Sequence, residues 1–128
     1  MLIHRIRLMQ GDEIALGPGK ADILRAIREH GSISAAARRM GMSYRRAWLL
    51  VDTMNRCFRE PLVLSAAGGS QGGGASLTPH GEEVLAYYEK MLAEVSRASA
   101  SYEGKLSGWL RDVPTDAEQA GVEQSRAD

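Results

Sequence analysis

Six arginines, Arg38, Arg39, Arg45, Arg46, Arg56 and Arg59, share residues 38–59 with a single acid, Asp52. At that density guanidinium groups can neutralise the phosphates of a polyanion, and one held at the start of an exposed helix can pair bidentately with O6 and N7 of guanine. Arg45 is the candidate for reading a base edge. Arg46 sits nearer the flank and is a candidate phosphate ligand, as are Arg38 and Arg39. Ser32, Ser34 and Ser43 add hydroxyls at helix starts, where capping and phosphate contact compete. Tyr44 is amphipathic and suits either the sugar-phosphate backbone or the preceding helix. Trp48 divides between a thymine-methyl or sugar contact and packing on the hairpin that follows. Considered alone, such a basic run is also compatible with a merely solvated face.

Bond-making chemistry has no comparable support. His4, His30 and His80 are scattered, and neither E-x-x-H nor C-x-x-C spacing accompanies them, so no metal or other cofactor is expected. Glu82 and Glu83 are adjacent carboxylates, but their place in a first helical turn accounts for them through the helix dipole. The loop over 68–74 holds five glycines. It lacks the G-x-x-x-x-G-K-[ST] pattern and leads into a strand, which argues against a nucleotide-binding loop. No catalytic constellation emerges, and the chain is not expected to be an enzyme.

The elements that must hold these residues are legible from period and punctuation. Alternation from Leu2 to Met9, a Gln10-Gly11-Asp12 turn and Ile14-Ala15-Leu16 predict an N-terminal β-hairpin. A first helix is predicted over 18–30, ending at Gly31. Ser32 caps a second, alanine-lined helix that stops at Gly41, and Ser43 caps a third that runs to about Phe58, ahead of Pro61. On that third helix Ala47, Leu50, Val51, Met54 and Phe58 share one face; Arg45, Trp48, Leu49, Asp52 and Arg56 share the other. Cys57, the one cysteine, falls in an apolar stretch that predicts a buried thiol.

Leu62-Val63-Leu64, the glycine loop and Ala75-Ser76-Leu77 predict a second hairpin, with Ser70 and Gln71 at its tip. Thr78 caps a last helix with Pro79 at its first position, predicted to reach about Tyr102. Val84, Leu85, Tyr88, Met91, Leu92, Val95 and Ala98 form its apolar stripe, wider than a peripheral helix needs. Leu85, Tyr88, Leu92 and Val95 are therefore candidates for contact with a second subunit, with docking on the chain's own domain as the competing use. The expected architecture is mainly α with small β: a winged helix-turn-helix with an N-terminal β-hairpin and a long C-terminal dimerisation helix. It occupies residues 1–103, and residues 104–128 form a tail rich in polar and acidic residues.

The same residues carry a family resemblance. Gly31-Ser32-Ile33-Ser34-Ala35-Ala36-Ala37, Ser43-Tyr44-Arg45-Arg46-Ala47-Trp48, Met54-Asn55, the run from Gly68 to Ala75 and Leu77-Thr78-Pro79-His80-Gly81 resemble the DNA-binding domain of ModE-type molybdate-responsive regulators. More distantly they resemble LysR-type regulators. The resemblance spans roughly residues 5–100. It implies operator binding as a homodimer joined through the N-terminal segment and the helix after Pro79. Two departures limit it. The family's wing usually carries a basic residue where this loop has Ser70 and Gln71, so a strong phosphate contact from the wing is not implied. Full-length relatives also continue into small β-barrel domains that bind molybdate. Only 18 residues follow Leu110, so no molybdate site is expected on this chain.

Composition sets the outer bounds. The net charge is zero over 128 residues, yet residues 1–60 hold eleven Lys and Arg against six Asp and Glu, and the remainder holds five against ten. The basic half carries the predicted motif, so double-stranded DNA is the expected partner. A winged helix kept for protein interaction alone is the alternative that the overall neutrality suggests. No apolar run approaches the roughly 20 residues of a membrane span, and a single cysteine fits a reducing compartment; a cytoplasmic protein is expected.

Overall fold

The computed structural model describes residues 1–66 and 74–113. Its elements run β1 (Leu8–Gln10), β2 (Glu13–Leu16), α1 (Pro18–His30), α2 (Ile33–Met40), α3 (Tyr44–Cys57), β3 (Val63–Ser65), β4 (Ala75–Leu77) and α4 (Pro79–Gly108). β1 and β2 pair antiparallel with a bulge between Leu8 and Met9, and β3 pairs antiparallel with β4, Val63 facing Leu77. The core gathers where the helices meet. Ile23, Leu24 and Ile27 of α1 pack with Ala36 and Ala37 of α2, Ala47, Val51 and Met54 of α3, Leu62, and Leu85 of α4. Alanines at three of these positions let the three N-terminal helices approach closely, which gives each a fixed direction.

Local punctuation explains the helix boundaries. The Ser32 hydroxyl accepts from the Ala35 amide at 3.0 Å, Ser43 from Arg46 at 3.1 Å and Thr78 from Gly81 at 2.8 Å. Each satisfies one of the amides a helix start leaves without an intrahelical partner. Between α2 and α3, Gly41 adopts φ 68, and its left-handed conformation reverses the chain in the few residues separating Met40 from Tyr44.

α4 is tied to the hairpin of β3 and β4 at its first turn. The Thr78 amide donates to the Leu62 carbonyl at 2.9 Å and its hydroxyl donates to the Pro61 carbonyl at 2.8 Å. Gly81 is buried against the Leu62 backbone so closely that a Cβ there would overlap the Leu62 carbonyl. Ion pairs Arg28–Glu82 at 3.2 Å and Arg25–Glu89 at 3.5 Å join α1 to the same helix.

Four sequence expectations need correction. The N-terminal strand begins at Leu8 rather than Leu2. The segment before β1 instead lies along α4, with Tyr88 Oη donating to the Ile6 carbonyl at 2.7 Å and Ser99 Oγ 3.5 Å from His4 Nε2. β3 starts at Val63, not Leu62, because Asn55 engages the Leu62 amide and the Leu62 carbonyl turns to Thr78. α4 continues past Tyr102 to Gly108. Cys57 is half-buried rather than enclosed; its thiol donates to the Glu13 carboxylate at 3.5 Å, and burial followed by that bond pushes its pKa up.

Candidate nucleic-acid interface

α3 projects from the core with one face committed and the other free. Ala47, Val51 and Met54 are buried, and Leu50 and Phe58 pack against them. On the far side Arg45 is exposed, with Tyr44 at 54%, Trp48 at 45% and Leu49 at 44% of their full exposure; Arg46, also exposed, stands at the flank that faces the start of α1. Large apolar side chains left in water beside unpaired arginines, on a helix whose other face is fully used, form a surface suited to a polyanion with apolar edges. Bases in a groove present that combination.

Ion pairing sorts the arginines further. Arg56 lies on the exposed face but is held by Asp52 at 3.0 Å and Glu13 at 3.3 Å, and the Asp52 hydrogen bond leads the causes that raise its pKa. Arg25 and Arg28 are taken by α4. Arg38, Arg39, Arg45, Arg46 and Arg59 have no ion pair among the described residues. Arg38 and Arg39 are exposed in the last turn of α2, immediately before the turn that leads into α3. The structure thus brings Arg38, Ser43, Tyr44, Arg45, Arg46 and Trp48 to the region of one helix junction.

Ser32 and Ser43 spend an acceptor lone pair on capping, and each hydroxyl proton remains to donate. Ser34 is exposed in the first turn of α2. Ser70 and Gln71 lie outside the described residues. The subunit-contact candidates divide: Leu85 and Tyr88 are buried in the chain's own core, at 0% and 4% exposure, while Leu92 and Val95 are half-buried. The expectation that Leu85 and Tyr88 face a partner is therefore corrected, because the stripe from Val84 to Leu92 is largely used by the domain itself. The large apolar residues that α4 leaves exposed are instead Tyr87, Met91, Tyr102 and Leu106, with Trp109 just beyond its end.

Asn55 is a positioning residue that charge and period do not reveal. Its Oδ1 accepts from the amides of Leu62 at 2.8 Å and Val63 at 3.2 Å, and its Nδ2 donates to the Val63 carbonyl at 3.0 Å. The second hairpin is thereby fixed to α3. At the hairpin's other strand the Ala75 amide donates to the Gly31 carbonyl at 2.9 Å, joining it to the end of α1.

A three-helix core whose third helix is exposed on one face, preceded by a tight glycine turn and followed by an antiparallel hairpin, is a winged helix-turn-helix. Residues 20–82 match the family model of the bacterial regulatory helix-turn-helix proteins of the lysR family.

Two curated relatives sharpen the likeness. The chain is 45% identical over 92 residues to the molybdenum-pterin-binding protein MopB of Rhodobacter capsulatus, covering 72% of this chain and 34% of the relative. It is 38% identical over 80 residues to the DNA-binding transcriptional dual regulator ModE of Escherichia coli K12, covering 62% and 30%. The chain thus spans about a third of the length of the curated relatives it matches. The full-length LTTR LysG of Corynebacterium glutamicum with bound effector Arg shares the fold, with a TM-score of 0.52 and 22% identity over 73% of this chain and 30% of that one.

Proposed function

We propose that the chain binds duplex DNA sequence-specifically as a homodimer and regulates transcription. α3 enters the major groove, and the hairpin of β3 and β4 rests against the adjoining backbone. The observation that carries this reading is the exposed face of α3, where unpaired Arg45 stands beside Tyr44, Trp48 and Leu49, with Arg46 at the flank, on a helix already anchored by its opposite face. Arg45 reads a base edge. Arg46, Arg38 and the hydroxyls of Ser32, Ser34 and Ser43 hold phosphates, and Trp48 contacts thymine methyl or sugar. The relatives named for DNA binding and regulation support the same assignment.

The second subunit docks on the apolar side chains that α4 leaves in water. Tyr87 and Met91 border an apolar groove of about 400 Å³ shared with Leu8 and Phe58, and Tyr102, Leu106 and Trp109 continue the exposed surface along a helix of 30 residues. Half-buried Leu92 and Val95 flank it. A two-fold pair of such domains presents two copies of α3, which suits an inverted repeat with half-sites about 34 Å apart. Among the described residues no helix is long and apolar enough to cross a membrane, and the protein acts in the cytoplasm where its DNA lies.

Anisotropy titration of a selected duplex across a salt series tests the reading. The expected result is a steep loss of affinity with salt and a clear optimum for one sequence. Salt-insensitive binding to a protein partner with no preference among duplexes would favour a protein-interaction module, consistent with the chain's net charge of zero.

A further inference from the structure

A second cluster of cations lies beside α3. A cavity of about 480 Å³ opens between the N-terminal segment, the start of α1 and the first turns of α3, and it is lined by Arg5, Arg7, Lys20, Arg46, His4 and Gly19 among others. Among the described residues no carboxylate lines it. Arg5, Arg7, Lys20 and Arg46 make no ion pair among the described residues, and none of their side chains enters a hydrogen bond there.

Lys20 is the unusual member: the residue as a whole is only 9% exposed, its stem buried, while its ammonium keeps contact with solvent at the cavity and has no hydrogen-bond partner among the described residues. Burial lowers its pKa; Cys57 and Glu13, the latter already bound to Arg56, oppose the shift, and Arg46 and Arg7 add to it. Concentrating like charges around a partly desolvated ammonium is unfavourable unless an anion joins them.

The backbone contributes in the same direction. α1 begins at Pro18 after Gly17, which supplies no side-chain cap, and its first turn holds no acid. The first amide bonded back is that of Ala21, to the Gly17 carbonyl at 2.8 Å, so the amides of Gly19 and Lys20 precede the helical ladder at the positive end of the helix dipole. Gly17 lets Arg7 lie against this end; a Cβ at Gly17 would meet Arg7 Cγ at 3.2 Å.

We propose that this cavity binds a tetrahedral oxyanion of the phosphate class, held by Lys20, Arg5, Arg7 and Arg46 against the N-terminus of α1. The anion is either a DNA backbone phosphate or a free inorganic oxyanion. The first source rests on the DNA-binding reading and the second does not. In both cases Arg46 links the site to the first turn of α3, so filling the cavity fixes the helix that carries Arg45.

Amide NMR of the full chain, titrated with inorganic phosphate against sodium chloride at equal ionic strength, tests the free source. A duplex salt series compares the intact chain with Lys20→Met and Arg5→Gln. Saturable shifts at Gly19 and Lys20 under phosphate, lost in Lys20→Met and weakened in Arg5→Gln, establish a free-oxyanion site even if no duplex binds. Absence of those shifts, together with a drop of about one in the salt slope for either variant, identifies a DNA phosphate. Phosphate shifts no larger than those of chloride, with duplex binding and salt slope unchanged in both variants, would overturn the site while leaving the DNA-binding reading intact. Arg5→Gln alters an exposed side chain and keeps the test decisive should Lys20→Met fail to fold.

Discussion

At the residue scale, exposure alone does not decide which arginines are available; their partners do. Arg45 and Arg56 share the outward face of α3, but Arg56 is engaged by Asp52 and Glu13. Arg45→Ala is expected to weaken binding to a selected site by roughly ten- to a hundredfold and to relax preference at one base pair, the range for loss of a bidentate base contact. Arg56→Ala is expected to change affinity by less than about twofold; paired titrations of the two variants check the contrast. The arginine cluster was readable in the sequence, whereas the Glu13–Arg56 pair was not, because 43 positions separate its members. Asn55 escaped for a similar reason: its role depends on where the chain places Leu62 and Val63. Asn55→Ala leaves those two amides unpaired at a partly buried site and is expected to cost about 1–3 kcal/mol of stability, read from the denaturant midpoint.

At the scale of elements, the sequence marked helix starts better than it marked ends. Ser32, Ser43 and Thr78 cap as their residue types predict, since capping is local chemistry. The end of α4 carries no such mark; the helix runs on through Gly104 to Gly108 without a proline to stop it. The N-terminal alternation misled because a period of two states only that a segment is extended. Its hydrogen-bond partner is set elsewhere, here by Tyr88. Burial raises the Tyr88 pKa above its ordinary value of 10.0, so the stability this phenol contributes is complete below pH 10 and is lost as pH rises through the folded value. Tyr88→Phe is expected to flatten that alkaline loss in a stability-against-pH series. Gly81→Ala tests the junction of α4 with the second hairpin. Better helix propensity would stabilise by up to about 1 kcal/mol, yet the overlap with Leu62 predicts net destabilisation of about 1–3 kcal/mol in urea unfolding.

At the scale of the whole molecule, the neutral net charge conceals a division of labour. Cations concentrate in the half that folds into β1 to α3, and acids predominate in the half that supplies α4. The apolar pattern of α4 was visible in the sequence, but a stripe does not say which of its residues meet the chain's own core. Packing assigns Leu85 and Tyr88 inward and leaves Tyr102 and Leu106 in water. Tyr102→Glu with Leu106→Glu is accordingly expected to yield a monomer by sedimentation equilibrium at concentrations where the parent chain is a dimer. A dimer unchanged by both substitutions would place the subunit contact elsewhere.

The central claim, that the free face of α3 reads duplex DNA, is tested most directly by selecting genomic fragments with the purified protein at about 150 mM salt, where contacts between distant exposed charges are already screened. The account predicts enrichment of one inverted repeat, with the enrichment lost in Arg45→Ala and kept in Arg56→Ala. Fragments recovered without any common sequence, or an enriched repeat that survives Arg45→Ala unchanged, would contradict it.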